Sequence, residues 1–153
     1  MSVMLHSEQP PAELGQFTGF LMNYLGTRSG RRFAAALEPF GLHPRHFGVM
    51  TVLDARPGIT QQDLADHSRV DRSSMVAVLD ELEARGLAER RSDPADRRKR
   101  SIHLTDEGRA QLKQMRAVAR QVGEQSFAAL TAEERATLHQ LLRKLAGFED
   151  EQA

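Results

Sequence analysis

The chain of 153 residues carries 21 basic and 21 acidic side chains, so its formal net charge is zero. It contains no cysteine, which excludes a disulfide framework, a thiol nucleophile and a thiolate zinc site. The N-terminus lacks a secretory signal pattern, and no apolar run approaches the ~18 residues of a membrane helix. We therefore expect a cytoplasmic protein without a membrane partner, folded as one domain or as two small ones that share a core.

The N-terminal region predicts a flexible tail followed by a long helix. Residues 1–11 are mostly polar and end in two prolines, which favours the tail. From Ala12 onward, apolar residues recur at helical spacing as far as Leu37. Gly26 and Gly30 each weaken such a helix by ~1 kcal/mol, so they allow a kink in it.

The next segment predicts the first half of a helix-turn-helix. His43 and Pro44 suit the N-cap and the first position of a helix over 44–55. Thr60 and Asp63 then resemble a capping box at the start of a helix of barely two turns. A short helix of this kind, followed by a turn and another helix, is typical of proteins that place the second helix in the major groove of DNA.

That second helix is predicted over 72–85, after a turn at 68–71. Its apolar residues share one face and are expected to lie in the core: Met75, Val78, Leu79 and Leu82. Gly86 follows the last turn, where glycine adopts the left-handed conformation of a helix stop without a Cβ penalty.

A β-hairpin with a basic tip follows this helix. Strands at 88–91 and 101–104 flank a polar tip of turn-forming residues and cations that extends to Arg100. Seven basic residues and three acidic residues lie between Arg85 and Arg100, which gives a basic patch within a neutral protein. The patch favours nucleic-acid binding, with a solvated surface as the alternative.

Two helices complete the chain. Thr105 is expected to cap the first, and Thr131 opens a capping box for the second. The last helix has an apolar face: Leu138, Leu141, Leu142 and Leu145. Because the helices at both chain ends carry more apolar surface than a monomer should expose, we expect them to pack on a second copy. A symmetric dimer then holds two recognition helices ~34 Å apart, one turn of DNA.

Four short strings resemble those of a known protein family. They are Gln62-Asp63-Leu64-Ala65, Leu82-Glu83-Ala84-Arg85-Gly86-Leu87, Asp93-Pro94-Ala95-Asp96-Arg97-Arg98 and Leu104-Thr105-Asp106-Glu107-Gly108. With the order of the helices and the hairpin, the chain resembles the MarR family of bacterial transcription regulators over 12–147. The glycine stop and the Asp-Pro-x-Asp-Arg-Arg hairpin are the most specific features of this resemblance.

The resemblance implies a mainly α fold with a small β-hairpin wing, a winged helix-turn-helix that forms MarR-like homodimers. It places the helical dimerisation region at 12–40 and 105–148 and the DNA-binding region at 43–104. Similar proteins bind palindromic operators, usually repress, and often release double-stranded DNA when a small phenolic or anionic effector binds. The alternative is an architectural or adaptor DNA-binding protein that responds to no effector.

The wing is expected to contact the minor groove. The resemblance implies that Arg98, or Arg97 beside it, enters this groove, where negative potential is concentrated, and that Asp96 supports the arginine. Lys99 or Arg100 is expected to contact phosphate, which adds affinity without sequence information.

The first turn of the recognition helix supplies the other expected DNA contacts. Arg72, Ser73 and Ser74 begin this helix, where side chains and N-terminal amides face base edges and phosphate. We expect Arg72 to contact guanine and Asp71 to cap the helix. Arg69, in the turn, is either a phosphate contact or plain surface.

Four residues are candidates for effector binding. Tyr24 and Arg28 lie one helical turn apart, where a phenol and a guanidinium could receive an aromatic carboxylate. Arg31 could share this role. His46 lies near the position where family members bind ligands, with a capping or packing role as its alternative.

The sequence gives no reason to expect a metal site, a cofactor or an enzyme. The six histidines include no pair at i, i+4 spacing, and thiolate ligands are excluded. No P-loop, G-x-S-x-G, H-E-x-x-H or G-x-G-x-x-G motif occurs.

Overall fold

The structure, a computed structural model, describes residues 9–68, 70–92, 96 and 100–148. That part of the chain contains six α-helices and three strands. In chain order they are α1 (Thr18–Leu37), α2 (Pro44–Ala55), β1 (Ile59–Thr60), α3 (Gln61–Ser68), α4 (Arg72–Ala84), β2 (Ala88–Ser92), β3 (Arg100–Leu104), α5 (Asp106–Ser126) and α6 (Ala132–Leu145). The mainly helical fold with a small sheet agrees with the sequence prediction.

The core lies between α2, α3, α4, the sheet and the first half of α5. Its largest buried side chains are Leu37, Leu42, Met50, Leu53, Leu64, Met75, Leu79, Leu82, Ile102, Leu112 and Met115. The four residues predicted for the inner face of α4 are all fully buried. Because burial of apolar surface is the dominant favourable term in folding, this cluster fixes the recognition helix on its scaffold.

Several helix ends lie where the sequence predicts them. Pro44 is the first residue of α2, with His43 at its N-cap. The Thr131 hydroxyl accepts a hydrogen bond from the Glu134 N–H at 3.2 Å, and the Glu134 carboxylate accepts one from the Thr131 N–H at 2.8 Å. This is the predicted capping box. After α4 the chain turns at Gly86, whose φ of 69° favours glycine.

The sheet has three antiparallel strands in the order β1-β3-β2, whereas the sequence predicts only a hairpin. Ile59 of β1 pairs with Ile102 of β3. The sequence does not reveal β1 because a strand of two residues is too short to show alternation. Arg100, predicted in the hairpin tip, instead begins β3 and pairs with Ser92.

The start of α5 approaches Leu87, which lies between α4 and β2, very closely at Gly108. A Cβ at this position would lie 1.9 Å from the Leu87 carbonyl oxygen, so only glycine fits. The Thr105 N–H donates to the same carbonyl at 3.2 Å, and its hydroxyl donates to the Gly86 carbonyl at 2.6 Å. These contacts join α5 to the winged unit, which comprises the elements from α2 to β3 (44–104).

Both ends of the described chain are helical and leave large apolar side chains exposed. A 3-10 helix at Ala12–Leu14 comes first, and Phe17 is extended, so the long helix begins at Thr18 and not at the start of that segment as predicted. It continues unbroken through Gly26 and Gly30. The exposed large apolar residues of the two ends are Leu14, Phe17, Met22, Leu25, Phe127, Leu141, Leu142, Leu145 and Phe148.

None of the described helices combines the length and the apolar composition needed to cross a lipid bilayer. Of the tail predicted over 1–11, residues 1–8 lie outside the described residues. The division into a helical dimerisation region at 12–40 and 105–148 and a DNA-binding region at 43–104 stays a prediction.

Candidate nucleic-acid interface

The first turn of α4 is fixed by Asp71. Its Oδ1 accepts hydrogen bonds from the Ser73 hydroxyl at 2.6 Å and from the Ser74 N–H at 2.9 Å. These bonds, of which that from Ser73 contributes most, hold the pKa of the Asp71 carboxyl far below its ordinary value. The carboxyl is therefore ionised at neutral pH. The predicted cap is confirmed. Because the Ser73 hydroxyl already donates to Asp71, it can accept a hydrogen bond from a base edge but has no proton left for phosphate.

The outer face of α4 is exposed beside this cap. Arg72 and Ser73 are exposed in the first turn, and Val76, one turn after Arg72, has 40% of its surface exposed. The methyl groups of a valine match the C5 methyl group of thymine in the major groove. Val76 is not among the contacts predicted from the sequence, although its position one turn from Arg72 and outside the buried face of α4 is a signal for it.

A cavity of about 250 Å³ lies beside this face, between α3 and α4. Gln61 and Gln62 of α3 line it together with Arg72 and Val76. A glutamine amide both donates and accepts hydrogen bonds, so it can read base edges. The two glutamines therefore extend the polar surface of α4 onto the start of α3.

A buried histidine fastens α2 to α4. His46 has 2% of its surface exposed; its Nε2 lies 2.6 Å from Glu81 Oε2, and its Nδ1 accepts the His43 N–H at 2.9 Å. A neutral ring with its proton on Nε2 satisfies both contacts. Burial lowers the pKa of His46, although the hydrogen bond and charge of Glu81 oppose this shift.

Arg90 fastens the wing to α4. Its guanidinium contacts Asp80 at 2.8 Å and also binds the Glu83 carboxylate, and its backbone N–H donates to Glu83 Oε1 at 2.8 Å. Only 14% of the Arg90 side chain is exposed, so water competes little with these charge-assisted bonds. The contacts fix the position of β2 relative to the recognition helix.

Two further cations of the basic stretch also bind groups of the protein. Arg85 donates to the Phe40 carbonyl at 2.5 Å and to the Gly41 carbonyl, while Arg91 pairs with Glu89. Three of the seven basic residues counted in this stretch therefore have partners within the protein, although the Arg91 side chain stays 59% exposed. The count of seven basic residues therefore does not by itself give the charge that is available to DNA.

The structure places the predicted wing contacts only in part. Asp96 is half-buried, and Arg100 is exposed at the start of β3. Four predicted contacts lie outside the described residues: Arg69, Arg97, Arg98 and Lys99. The DNA roles of all these residues stay predictions.

Three of the four candidate effector residues line one cavity of about 490 Å³. Tyr24, Arg28 and Arg31 are brought together there, with Arg32, which the sequence analysis does not single out. His46 is not among the lining residues, and both of its ring nitrogens have the contacts described above. The structure therefore supports the capping and packing alternative for His46.

Residues 40–99 match a family model described as the MarR family. Over 127 residues the chain is 32% identical to an HTH-type transcriptional repressor of Mycobacterium tuberculosis, spanning 83% of this chain and 91% of that protein. The chain belongs to the MarR family. It is thus a member of a family of transcription regulators, as the resemblance implies.

Solved MarR-family structures share the fold over most of the chain. The transcriptional repressor CouR of Rhodococcus jostii RHA1, bound to a 23-mer DNA duplex, matches with a TM-score of 0.79 and 33% identity over 92% of this chain and 99% of that one. A MarR-family protein of Mycobacterium tuberculosis in complex with salicylic acid matches with a TM-score of 0.71 and 32% identity over 84% and 96%. The predicted winged helix-turn-helix fold is confirmed.

Proposed function

We propose that this MarR-family regulator is a cytoplasmic repressor that binds a palindromic operator as a homodimer. The observation that carries the proposal is the capped first turn of α4, which presents Arg72 and Val76 on the outer face of a helix buried on its other side. In this arrangement α4 enters the major groove, Arg72 contacts guanine and Val76 packs on a thymine methyl group. The related repressor CouR binds a 23-mer DNA duplex, which supports DNA as the partner of this chain.

The wing supplies the second set of DNA contacts. Because Arg90 fixes β2 on α4, the helix that reads the major groove also positions the hairpin. We assign Arg98, or Arg97 beside it, to the minor groove, with Asp96 in support. The other predicted cations are assigned to phosphate: Arg69, Lys99 and Arg100.

The helices at the two chain ends form the homodimer in this proposal. The leucines of α6 and the apolar side chains of α1 together expose more apolar surface than a soluble monomer usually does. A second copy covers this surface in the proposed homodimer. A two-fold symmetric pair then holds the two α4 helices ~34 Å apart, which matches an inverted repeat in DNA.

The 490 Å³ cavity on α1 is assigned to an anionic effector that releases the operator. Phe33 of α1 packs edge to face on Phe47 of α2, with ring centroids 5.2 Å apart, and α2 contacts α4 through His46 and Glu81. A ligand that moves α1 therefore acts on the recognition helix through packed side chains. Related regulators bind salicylic acid and, in CouR, p-coumaroyl-CoA, which favours an aromatic anion.

Selection of bound sequences from random double-stranded DNA tests the proposal. We expect enrichment of an inverted repeat whose half-site centres are about 10 base pairs apart. Enrichment of a single half-site would contradict the homodimer. No enrichment over the starting pool would contradict sequence-specific regulation and favour an architectural protein.

Substitution Arg72→Ala tests the base contact. We expect operator binding to weaken by about 1–3 kcal/mol, with relaxed preference at one base pair of each half-site. Fluorescence anisotropy with the selected operator and its point variants measures both effects. Arg120→Ala, which removes an exposed arginine of α5, is the matched control; an equal loss in both variants would show a general charge effect and no base contact.

A further inference from the structure

The cavity between α3 and α4, here the α3–α4 cleft, has an apolar floor and a largely polar rim. Its lining residues lie at helical spacing on the two helices: Gln61, Gln62 and Ala65 on α3, and Arg72, Met75 and Val76 on α4. Met75 is fully buried and Ala65 has only 3% of its surface exposed, so these two side chains form the floor. None of the six lining residues is acidic, so the lining itself does not repel a DNA strand.

The α3–α4 cleft lies on the surface that faces DNA in the proposed function. Arg72 and Val76, which line its α4 side, are both exposed on the outer face of the recognition helix. On the α3 side, Gln61 directly follows Thr60 of β1, and Thr60 pairs with Ser101 of β3. One wall of the cleft is therefore the recognition helix, and the other wall starts beside the strand that leads out of the wing.

The apolar floor and the exposed valine restrict which group of DNA fits this cleft. The base edges in the major groove present hydrogen-bond donors and acceptors, except at C5 of thymine, which carries a methyl group. Phosphate and sugar oxygens would gain no hydrogen bond from the side chains of Ala65, Met75 and Val76. 5-Methylcytosine carries the same methyl group at the same ring position. The C5 methyl group of a pyrimidine is therefore the group that matches the floor.

We propose that the α3–α4 cleft binds the C5 methyl group of a pyrimidine and accepts 5-methylcytosine in place of thymine. The methyl group lies against Val76 and the floor, and the amides of Gln61 and Gln62 meet the polar edges of the adjoining bases. Methylation of a cytosine at this operator position then strengthens binding, so the regulator responds to DNA methylation as well as to base sequence. The inference rests on the proposed function, in which α4 enters the major groove.

Replacement of each operator thymine in turn by deoxyuridine tests the methyl contact. Deoxyuridine keeps the base pairing and the polar edge of thymine and lacks only its methyl group. We expect one thymine of each half-site to respond, with binding about fourfold weaker for one replacement and about tenfold or more for both, as burial of one methyl group per half-site predicts. Fluorescence anisotropy with the full-length protein measures these ratios. An operator in which no thymine responds would overturn the proposal.

Cytosine methylation of the operator tests the second half of the proposal. A C·G pair in place of the responsive T·A pair should weaken binding, and 5-methylcytosine at this position should recover about fourfold in each half-site. Methylation of a cytosine that flanks the half-sites is the control and should change nothing. Unchanged or weaker binding after methylation at the responsive position would overturn the assignment of 5-methylcytosine to the cleft.

Val76→Ala locates the methyl group in the cleft. The substitution removes the two methyl groups of the valine from the wall, so the ratio between the thymine and deoxyuridine operators should fall about threefold. Ser73→Ala, at an exposed position of α4 outside the lining, is the control and should keep the ratio. A full ratio in Val76→Ala would mean that the methyl group acts through the shape of the DNA, and an equal fall in both variants would also overturn the assignment. Circular dichroism checks that both variants keep their helices.

The selection from random DNA separates this inference from the proposed function. A protein that selects an inverted repeat but shows no dependence on the methyl group remains a sequence-specific regulator, and only the methyl site is excluded. A protein that selects no sequence contradicts the proposed function and the methyl site together.

Discussion

The winged unit and the helices at the chain ends bury their apolar residues to very different extents. Within the winged unit, Leu79 of α4 and Leu64 of α3 are fully buried. On α6, Leu145 has 73% of its surface exposed, and none of the described residues of that helix is buried. The winged unit therefore completes its own core, whereas the end helices depend on a further partner surface, which we assign to the second protomer.

The two regions are joined by α5. Leu112 and Met115, in the first half of this helix, are buried in the core of the winged unit, while Phe127, just after its last turn, is exposed. A displacement of the end helices is thus transmitted to the winged unit through one continuous helix. The variants below test this division, starting with the joint itself.

Gly108→Ala, at the contact between α5 and the winged unit, should have the largest effect on the free energy of unfolding. The new Cβ would meet the Leu87 carbonyl at 1.9 Å, and a backbone group cannot rotate away as a flexible side chain can. We expect the free energy of unfolding to fall by about 3 kcal/mol or more, the upper part of the range for overpacking. Chemical denaturation followed by circular dichroism measures this change.

Gly123→Ala is the matched control on the same helix. No atom of the chain lies within 4 Å of the position of its Cβ, so the substitution should add about 0.5–1 kcal/mol to the free energy of unfolding through helix propensity alone. If Gly108→Ala is as stable as this control, the close contact between α5 and the winged unit is wrong.

The double substitution Leu141→Asp with Leu145→Asp tests the exposed face of α6. A carboxylate buried in a homodimer interface without a partner is costly, so dimerisation should weaken by about 2 kcal/mol or more. Sedimentation velocity at several concentrations measures the dimer fraction, and circular dichroism reports whether the winged unit stays folded. We expect the winged unit to remain folded because neither leucine belongs to its core.

Gln140→Asp places one such carboxylate on the opposite side of α6 and should leave the dimer intact. A double leucine variant that remains as dimeric as this control would mean that the exposed leucines do not form the dimer interface. Loss of all helical structure in the double variant would instead contradict the independence of the winged unit.

The sequence predicts most of the winged unit because its helices are amphipathic and because particular residues mark where they begin and end. The buried face of α4 follows from helical spacing, and its end follows from Gly86. The start of α2 at Pro44 follows in the same way. These are local features, so a single sequence is enough to show them.

Contacts between distant segments are what the sequence does not show. In the sequence, Arg90 is one more cation in a basic run, yet its carboxylate partners Glu83 and Asp80 lie seven and ten residues earlier, on another element. The clash that requires glycine at position 108 also arises only when α5 packs near Leu87. Charge counts therefore overestimate the surface available to DNA. The partners of Arg90 and the clash at position 108 both depend on how elements pack, which the periodicity of the sequence does not encode.

Arg90→Met tests whether the wing and α4 act as one unit. The methionine keeps the apolar stem but leaves the partly buried Glu83 without its charged partner, so stability should fall by about 1–2 kcal/mol. Operator affinity should fall about tenfold as well, comparable to one lost base contact, because the wing is no longer fixed relative to α4. Denaturation and fluorescence anisotropy measure the two effects separately.

Arg91→Met removes the neighbouring cation, whose side chain is 59% exposed in its pair with Glu89. This control should change stability by less than about 0.5 kcal/mol. Equal operator affinity in the two variants would show that the contacts of Arg90 do not position the wing and that only the lost charge matters.

The smallest expected effect is a pH dependence from His46. Burial, the largest cause, holds its pKa below the ordinary value of 6.5, and the nearby Arg45 and His43 add to this while Glu81 opposes it. A lowered pKa in the folded state means that the unfolded chain takes up a proton first as the pH falls. The stabilising contribution of His46 is therefore complete above pH 6.5 and decreases below it.

Thermal unfolding at pH 7.5 and pH 5.5, with and without His46→Gln, isolates this contribution. Glu81 remains ionised over this range because its own pKa is lowered by the hydrogen bond to His46, so the histidine is the member of the pair that titrates. We expect the original protein to lose more stability on acidification than the variant does. His139→Gln, which removes an exposed histidine of α6, should keep the original pH dependence. If His139→Gln loses the pH dependence and His46→Gln retains it, the proposal that a neutral His46 couples α2 to α4 is wrong.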